Sequence, residues 1–357
     1  MNYKFPIKDC RVLITGGAGF IGGYLLEKLF INTNHKIYNI DKYGYASDLT
    51  RIEKLIKENP LKSKNLINIK ADLINEKLIS NHVNSIKPHY IFHFAAESHV
   101  DRSIKYPEPF FINNVLSTLN LVSSSYNYWN NLEKEERKKF RFIHISTDEV
   151  FGSLEEHGKF KESSQINPRS PYSASKAASD HIINAWYHTY NFPAIVTNCS
   201  NNYGPWQFPE KLIPTIISKC IKNEQIPIYG NGSNIRDWLF VDDHINALIE
   251  VARNGRIGEK YCIGGDSEKT NLEVVSKICL IIDKKLNRRK QSSALISFVK
   301  DRLGHDKRYS IDNSKIKNEL NWERLTNFDS GLEKTVDWYI DNLSWLESIQ
   351  KRKSINY

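Results

Sequence analysis

The stretch from Arg11 to Gly22 limits the fold more than any other part of the chain. Val12-Leu13-Ile14-Thr15 is short, apolar and β-branched, and it runs into Gly16-Gly17-Ala18-Gly19-Phe20-Ile21-Gly22 before a helical stretch begins. Such residues favour a strand, and glycines at 16, 19 and 22 permit a tight turn that brings backbone N–H groups close to a pyrophosphate. The helix that follows presents the positive end of its dipole to phosphate. A glycine pattern alone is weak evidence, but here an acid, Asp41, closes the next strand-like run, Tyr38-Asn39-Ile40-Asp41, about 20 residues on. A carboxylate at that place accepts both hydroxyls of an adenosine ribose and repels a 2′-phosphate, which predicts NAD over NADP. Gly16, Gly19, Phe20, Ile21, Gly22 and Asp41 are the first cofactor-site candidates. Asp72, with Leu73 beside it, follows the third strand and is placed to contact adenine.

The first half of the chain alternates short β-branched runs with amphipathic stretches, the pattern of βαβ units and a parallel sheet. Candidate strands are Arg11–Thr15, Lys36–Asp41, Leu66–Lys70, Tyr90–Phe94, Arg141–Ser146 and Ala194–Asn198, with helices over Ile21–Ile31, Pro107–Tyr128 and Tyr172–Tyr190. After about Asn198 the rhythm breaks, and Pro, Gly and Asn become frequent, as in Asn201–Pro209 and Gly230–Asn234. The expected architecture is α/β: a Rossmann-type doubly wound parallel sheet over residues 1–198 and a smaller α/β substrate domain over 199–357. Residues 236–253 are able to fold back onto the first domain.

Composition narrows the functional classes. With 357 residues, 40% of them hydrophobic, the chain is long enough to bury a substantial core. No apolar run approaches the roughly 18 residues that span a bilayer, and Met1–Arg11 is mixed, so neither a membrane span nor a secretory signal is expected. Cys10, Cys199, Cys220, Cys262 and Cys279 are odd in number and widely spaced, which suits reduced thiols in a cytoplasmic protein better than disulfides or zinc. The net charge of +9 raises the question of nucleic acid. The lysines are dispersed, however, and the dense clusters (Arg137–Lys139, Arg288–Lys290) are short. A solvated basic surface with a local positive pocket for a small ligand is expected, and no nucleic acid.

Tyr172-Ser173-Ala174-Ser175-Lys176 places a phenol and an ammonium at i and i+4 on one helix face. A free tyrosine has a pKa near 10, and a neighbouring Lys⁺ favours the phenolate, making it a usable base. Such a pair is common by chance; its position after the fifth strand of a glycine-loop domain is what singles it out. That strand ends in Ser146-Thr147-Asp148-Glu149-Val150-Phe151-Gly152, at the carboxyl edge where ligands sit in parallel sheets. Two adjacent acids there read as a solvated loop or a helix cap, or else as acid–base groups with separated pKa values. The eleven histidines show no metal-binding spacing; His181 and His188 share a helix face, and Asp242-Asp243-His244 reads as a helix start. No metal is expected.

At these residues the chain resembles the extended short-chain dehydrogenase/reductase family and, within it, the dTDP-glucose 4,6-dehydratases. The resemblance covers, in order, Gly16–Gly22, Ala95-Ala96-Glu97-Ser98-His99-Val100-Asp101-Arg102-Ser103, Thr147–Gly152, Pro171–Lys176, Asn198–Pro205, Glu210–Pro214, Ile235–Trp238 and Asp301–Tyr309. It implies a redox-neutral reaction in three stages. Tyr172 takes the proton of the sugar 4-hydroxyl as hydride leaves C4 for NAD, with Thr147 bonded to the same oxygen. Glu149 then removes the C5 proton while Asp148, kept protonated, donates to the departing 6-hydroxyl. Hydride returns to C6, leaving a 4-keto-6-deoxy sugar.

The resemblance also assigns Ala95, Ala96 and Asn202 to NAD along with Tyr172 and Lys176. It assigns Ser98, Thr147, Asn201, Lys211, Leu212, Pro227, Tyr229, Arg236, Asn271, Arg302 and His305 to a nucleotide-sugar pocket. Arg236, Lys211 and Arg302 suit a diphosphate, and Pro227-Ile228-Tyr229 suits the base; singly, an Arg before Asp-Trp is as readily a structural ion pair. The Asp148-Glu149 pair points to 4,6-dehydration of dTDP-glucose, with UDP-glucose as the nearest alternative substrate. A 4-epimerase or an inactive NAD-binding regulator is disfavoured by that pair and by the intact Tyr172 and Lys176. A homodimer is implied, formed through Pro107–Tyr128 and Tyr172–Tyr190 as a four-helix bundle. Three positions depart from the family pattern: Phe151 stands for Tyr, Leu303 for Pro, and Trp206-Gln207 for Tyr-His beside the sugar pocket.

Overall fold

A computed structural model describes residues 3, 5–7 and 9–355. The apolar runs of the first half form β1 (Arg11–Thr15), β2 (Lys36–Asp41), β3 (Leu66–Lys70), β4 (Tyr90–His93), β5 (Arg141–Thr147) and β6 (Ala194–Cys199). Then come β7 (Asn201–Tyr203), β8 (Ile226–Tyr229), β9 (Ile235–Phe240), β10 (Lys260–Ile263), β11 (Glu268–Thr270) and β12 (Ile296–Val299). β10 returns to pair with β6, so the main sheet runs β10-β6-β5-β4-β1-β2-β3, with every pairing parallel. This is a Rossmann-type doubly wound sheet. Strand order reverses at β1, and the crevice outside the carboxyl ends of β1 and β4 is where such sheets receive ligands.

The first three strands have the expected limits; β4 is a residue shorter, and β5 and β6 are each a residue longer. β10, only four residues long, supplies a seventh strand that the sequence pattern does not reveal. Helix Val241–Asn254 packs Val241, Ile245, Leu248, Ile249 and Val251 into the cluster that holds Val12, Ile14, Leu25 and Phe92. A second cluster joins helices Leu212–Lys222, Asn271–Lys285 and Phe328–Asp341 with β8 and β9. Two small sheets, β11-β9-β7 and β12-β8, lie on that side of the molecule. Among the described residues no helix is long and apolar enough to cross a membrane.

One expected helix is interrupted. Pro107–Tyr128 becomes a short helix Glu108–Phe110, a π-helical turn Phe111–Leu116 and a helix Ser117–Asn130. The cause is Asn114, buried at the turn. Its side chain accepts from Glu97 N (2.7 Å) and donates to Glu97 O (3.0 Å) and Ser175 Oγ (2.8 Å). Its carbonyl accepts from Thr118 Oγ1 and Ser179 Oγ (2.6 and 2.9 Å). A π-turn absorbs the extra residue that these tertiary bonds pull into the helix.

The glycine turn after β1 is equally constrained. Gly16 has φ +77°, and a Cβ there would stand 2.8 Å from Ala95 N; a Cβ at Gly22 would meet Gly16 O at 2.4 Å. Gly16→Ala combines a left-handed conformation with a backbone clash. It is expected to lower unfolding free energy by about 1–3 kcal/mol, read as a reduced midpoint in urea denaturation.

Candidate active site

A cavity of about 620 Å³ lies along the carboxyl edge of the main sheet. It gathers all the candidate catalytic, cofactor and substrate residues named from the sequence. Gly16, Gly19, Phe20, Ile21, Gly22, Asp41, Asp72, Leu73, Ala95, Ala96 and Asn202 line it, as do Thr147, Asp148, Glu149, Tyr172 and Lys176. So do Ser98, Asn201, Lys211, Leu212, Pro227, Tyr229, Arg236, Asn271, Arg302 and His305.

Helix Phe20–Asn32 opens onto this cavity with no side-chain cap and no acid in its first turn. Its leading N–H groups and dipole therefore suit a pyrophosphate. Asp41, almost fully buried, accepts from Ala18 N through Oδ2 (3.0 Å) and from Tyr43 N and Ser47 Oγ through Oδ1 (2.8 and 2.9 Å). A carboxylate has about four acceptor positions, and these three contacts hold the Asp41 carboxylate at the end of β2. The residues fit a dinucleotide.

β5 ends at Thr147, whose Oγ1 accepts from Glu149 N (3.3 Å) and turns the chain into the short 3₁₀ segment Asp148–Phe151. Both acids thus sit at the strand's carboxyl end. Opposite them, helix Pro171–Tyr190 starts with a reciprocal Ser170–Ser173 capping box and Pro171 in its first turn. That start sets the phase that turns Tyr172 and Lys176 toward β5. Lys176 is 4% exposed and donates to Ile145 O at 2.8 Å; Thr147 favours the Tyr172 phenolate, against burial.

The adjacent acids are tuned differently. Asp148 is 1% exposed, and among the described residues its Oδ2 has no hydrogen-bond partner. Burial, then the charges of Glu149 and Asp237, push its carboxyl well above the usual range. Burial also raises Glu149, but Lys211, Arg236 and Arg302 pull the other way. Asp148 is the group that stays protonated and Glu149 the one nearer ionisation. Tyr172 departs from expectation: burial and the charges of Glu149, Cys199 and Asp148 hold its phenol well above its ordinary range. Lys176 itself is pulled down by burial, against Asp180 and Cys199.

On the facing wall Arg236 donates to Ile235 O and Asp306 O (2.7 and 3.0 Å), and its guanidinium lies 4.4 Å from the Tyr309 ring centroid. It forms no ion pair with Asp237, whose carboxylate accepts from Gly265 N and Ser267 N (3.0 and 2.7 Å). Arg302 Nε lies 2.8 Å from Asp101 Oδ1, His305 Nδ1 2.6 Å from Asp301 Oδ1, and Lys211 Nζ donates to Ser98 O at 2.6 Å. Tyr229 reaches Asp101 Oδ2 at 3.4 Å. Asn202 is engaged within the chain: it donates to Cys199 Sγ and Ser200 O, and its Oδ1 lies 2.8 Å from Nδ1 of His244.

Several lining residues carried no sequence signal. Lys42, Tyr45 and Ser47 belong to a loop after β2 that no motif marks; Tyr45 donates to Glu210 Oε1 at 2.9 Å, beneath the Arg102 guanidinium. Asp306 and Tyr309 lie inside the Asp301–Tyr309 block, which could have identified them. His244 was read only as part of a helix start. Of the departures, Phe151 packs on Phe160 (5.3 Å) outside the cavity, and Leu303 is exposed. Trp206, with φ +64°, turns its ring to Trp338 and Trp345 (4.7 and 5.3 Å), so only Gln207 of that pair lines the cavity.

The chain was compared with known proteins. A family model described as GDP-mannose 4,6 dehydratase matches residues 13–335. A protein of Sinorhizobium fredii named probable dTDP-glucose 4,6-dehydratase is 46% identical over 343 residues, 96% of each chain. The crystal structure of dTDP-glucose 4,6-dehydratase from Bacillus anthracis in complex with NAD superposes with a TM-score of 0.83 at 39% identity, covering 95% of this chain and 99% of that one. The enzyme of the same name from Streptomyces venezuelae, also with NAD bound, gives 0.85 at 36% identity over the same shares.

The environment of Asp148 has a measurable consequence for stability. Below the unfolded carboxyl pKa of about 3.9 both states are protonated and the residue is neutral to folding. As pH rises above it, the unfolded chain ionises while the folded one stays protonated, so the native state loses stability. Asp148→Asn removes that loss: it should be more stable than wild type at pH 7, and the gap should close as pH falls toward about 4, as read by urea melts across that range.

Proposed function

The chain belongs to the GDP-mannose 4,6-dehydratase family, and we propose that it converts dTDP-glucose to dTDP-4-keto-6-deoxyglucose and water with NAD as cofactor. The observation that carries this reading is the pair of adjacent carboxyls, one held protonated and one beside cations, next to a buried Tyr-Lys pair. Oxidation alone needs only the tyrosine, whereas elimination of water needs both an acid and a base.

Gly16–Gly22 and Asp41 would hold the pyrophosphate and ribose of NAD, and Asp72, Leu73, Ala95, Ala96 and Asn202 the rest. When bound, NAD supplies a hydride acceptor at C4 and a hydride donor at C6, and its charged ring favours the Tyr172 phenolate. Tyr172 then takes the proton of the 4-hydroxyl, with Thr147 bonded to the same oxygen and Lys176 stabilising the anion. The 4-ketone acidifies C5. Glu149 accepts the C5 proton, Asp148 donates to the 6-oxygen, and water departs. Glu149 returns its proton to C5. The proton gained by Tyr172 replaces the one given by Asp148, so the site resets without net oxidation. Arg236, Lys211 and Arg302, with Ser98, Asn201, Leu212, Pro227, Tyr229, Asn271 and His305, hold the nucleotide sugar.

The same reading divides the chain near residue 198 into an NAD-binding part and a nucleotide-sugar-binding part, with 236–253 returning to the first. It treats the five buried cysteines as reduced thiols of a cytoplasmic enzyme. It also includes a homodimer, supported by Phe111, Ile112 and Leu116, which lie exposed around the π-turn. Light scattering should give about twice the 41.4 kDa chain mass; a particle of single-chain mass at micromolar concentration overturns the dimer.

Proton NMR with NAD and either dTDP-glucose or UDP-glucose tests the chemistry. A new C6 methyl doublet is expected, forming faster with dTDP-glucose. Conversion to galactose signals without a methyl group would establish epimerisation and defeat the reading. Asp148→Asn combined with Glu149→Gln should still bind NAD and nucleotide sugar, yet lower methyl formation by about 10²-fold or more. Normal turnover in that double variant would remove both acids from their assigned roles.

A further inference from the structure

Below the floor of the cavity lies a buried carboxylate that none of the steps above employs. Asp180 is fully buried, one helical turn beyond Lys176, so Tyr172, Lys176 and Asp180 succeed one another at i, i+4 and i+8 on one face of helix Pro171–Tyr190. Its Oδ2 accepts from Asn198 Nδ2 at 3.1 Å, and its Oδ1 lies 3.2 Å from His144 Nε2. The same Asn198 amide donates to Thr147 O at 3.0 Å, which ties the carboxylate to the strand end that carries the acid pair.

We propose that Asp180 is a positioning residue, whose carboxylate keeps the buried Lys176 an ammonium ion and through it sets the basicity of Tyr172. This inference rests on the dehydratase reading. A buried ammonium is driven toward its neutral form unless an anion or acceptors answer it. Among the described residues the Lys176 ammonium has one hydrogen bond, to Ile145 O. The groups facing this region are His93 from β4, His144 from β5, Asp148 and Glu149 after β5, and Cys199 from β6.

Burial and the Lys176 charge bring His144 down to about 4, and they hold His93 well below its ordinary range, so both imidazoles are neutral at pH 7. Burial pushes the Cys199 thiol up to about 12, so it carries no charge there either. For Asp180, burial opposes ionisation, but His144, Lys176 and Ser146 bring its carboxyl below the usual range. Its carboxylate stands one helical turn from the lysine on the same buried helix, and its charge favours the ammonium. Asp148 and Glu149 act mainly on the phenol, raising Tyr172, the opposite of what the base requires.

Asp180→Asn keeps an acceptor for Asn198 and a polar group for His144 while removing the charge. Without it Lys176 loses its proton more readily and the phenolate loses support. The acid limb of the kcat–pH profile should therefore move to higher pH by about one unit, and kcat below that limb should fall about tenfold. KM for the nucleotide sugar should stay within about twofold, since the residue touches no ligand. The assay uses the NAD-loaded full chain, with folding checked by circular dichroism and production followed by the C6 methyl signal. An unmoved profile in a folded Asp180→Asn enzyme overturns the proposal.

If the amide variant does not fold, Asp180→Glu decides. It retains the charge, so a limb within a few tenths of a unit of wild type supports the proposal, and one displaced upward by about a unit overturns it. A wild-type protein that forms no methyl product with any nucleotide glucose defeats the dehydratase reading itself, a failure separate from that of Asp180.

Discussion

A charged amine placed out of reach of water dictates much of what surrounds it. Lys176 is 4% exposed, and its ammonium is held by a backbone carbonyl of β5, Ile145 O. That contact requires helix Pro171–Tyr190 to lie against β5 in one rotational setting. Ser170, Ser173 and Pro171 fix that setting from the helix's first turn, and Asn114 and Ser175 brace the next turn against the π-helical segment. The result puts Tyr172 in the cavity at the end of β5, which it lines together with Thr147. Displacing the lysine would move the phenol with it, because both ride on the same turn.

The rest of the cavity is organised by opposing charge. Asp148 and Glu149 are neighbours in sequence, yet their surroundings differ because successive residues of a tight turn face different ways. Asp148 turns inward, toward Asp237 and away from water, whereas Glu149 feels Lys211, Arg236 and Arg302. Two of those cations also bear on each other: Arg302 works with burial against the charge of Lys211. An anionic diphosphate between them relieves that repulsion. On the proposed function, substrate binding and the ionisation of Glu149 would be linked, since the cations assigned to the diphosphate are those that favour the carboxylate.

The sheet and most of the cavity lining were legible in the sequence because their causes are local. β-Branched runs, glycines at 16, 19 and 22, and an acid closing β2 need no distant partner to be recognised. What escaped depends on contacts remote in the chain. The π-turn follows from Asn114 meeting Glu97 and Ser175. β10 is too short to announce itself and is a strand because β6 offers it an edge. Asp180 with His144 and Asn198, and His244 with Asn202, combine residues that only the folded sheet brings together. The push of burial on the Tyr172 phenol went unseen for a related reason. A neighbouring lysine is visible in sequence, whereas the degree of burial that outweighs it is not.

The three departures from the family pattern follow the same division between local and remote. Phe151 keeps its ring in a packed cluster with Phe160, where a hydroxyl would need a partner of its own. Leu303 is exposed beside Gly304 at φ +62°, so the turn is shaped by the glycine and does not need a proline to hold it. Trp206 joins Trp338 and Trp345, and Trp345 Nε1 donates to Asp48 Oδ2 at 2.6 Å. Arg352 adds a 2.8 Å contact to Asp48 Oδ1, and Asp48 N bonds Ala18 O at 2.8 Å in the glycine turn. The tryptophan cluster thus anchors the loop that follows Asp41. A residue that the sequence pattern set beside the sugar pocket instead braces the loop that follows Asp41.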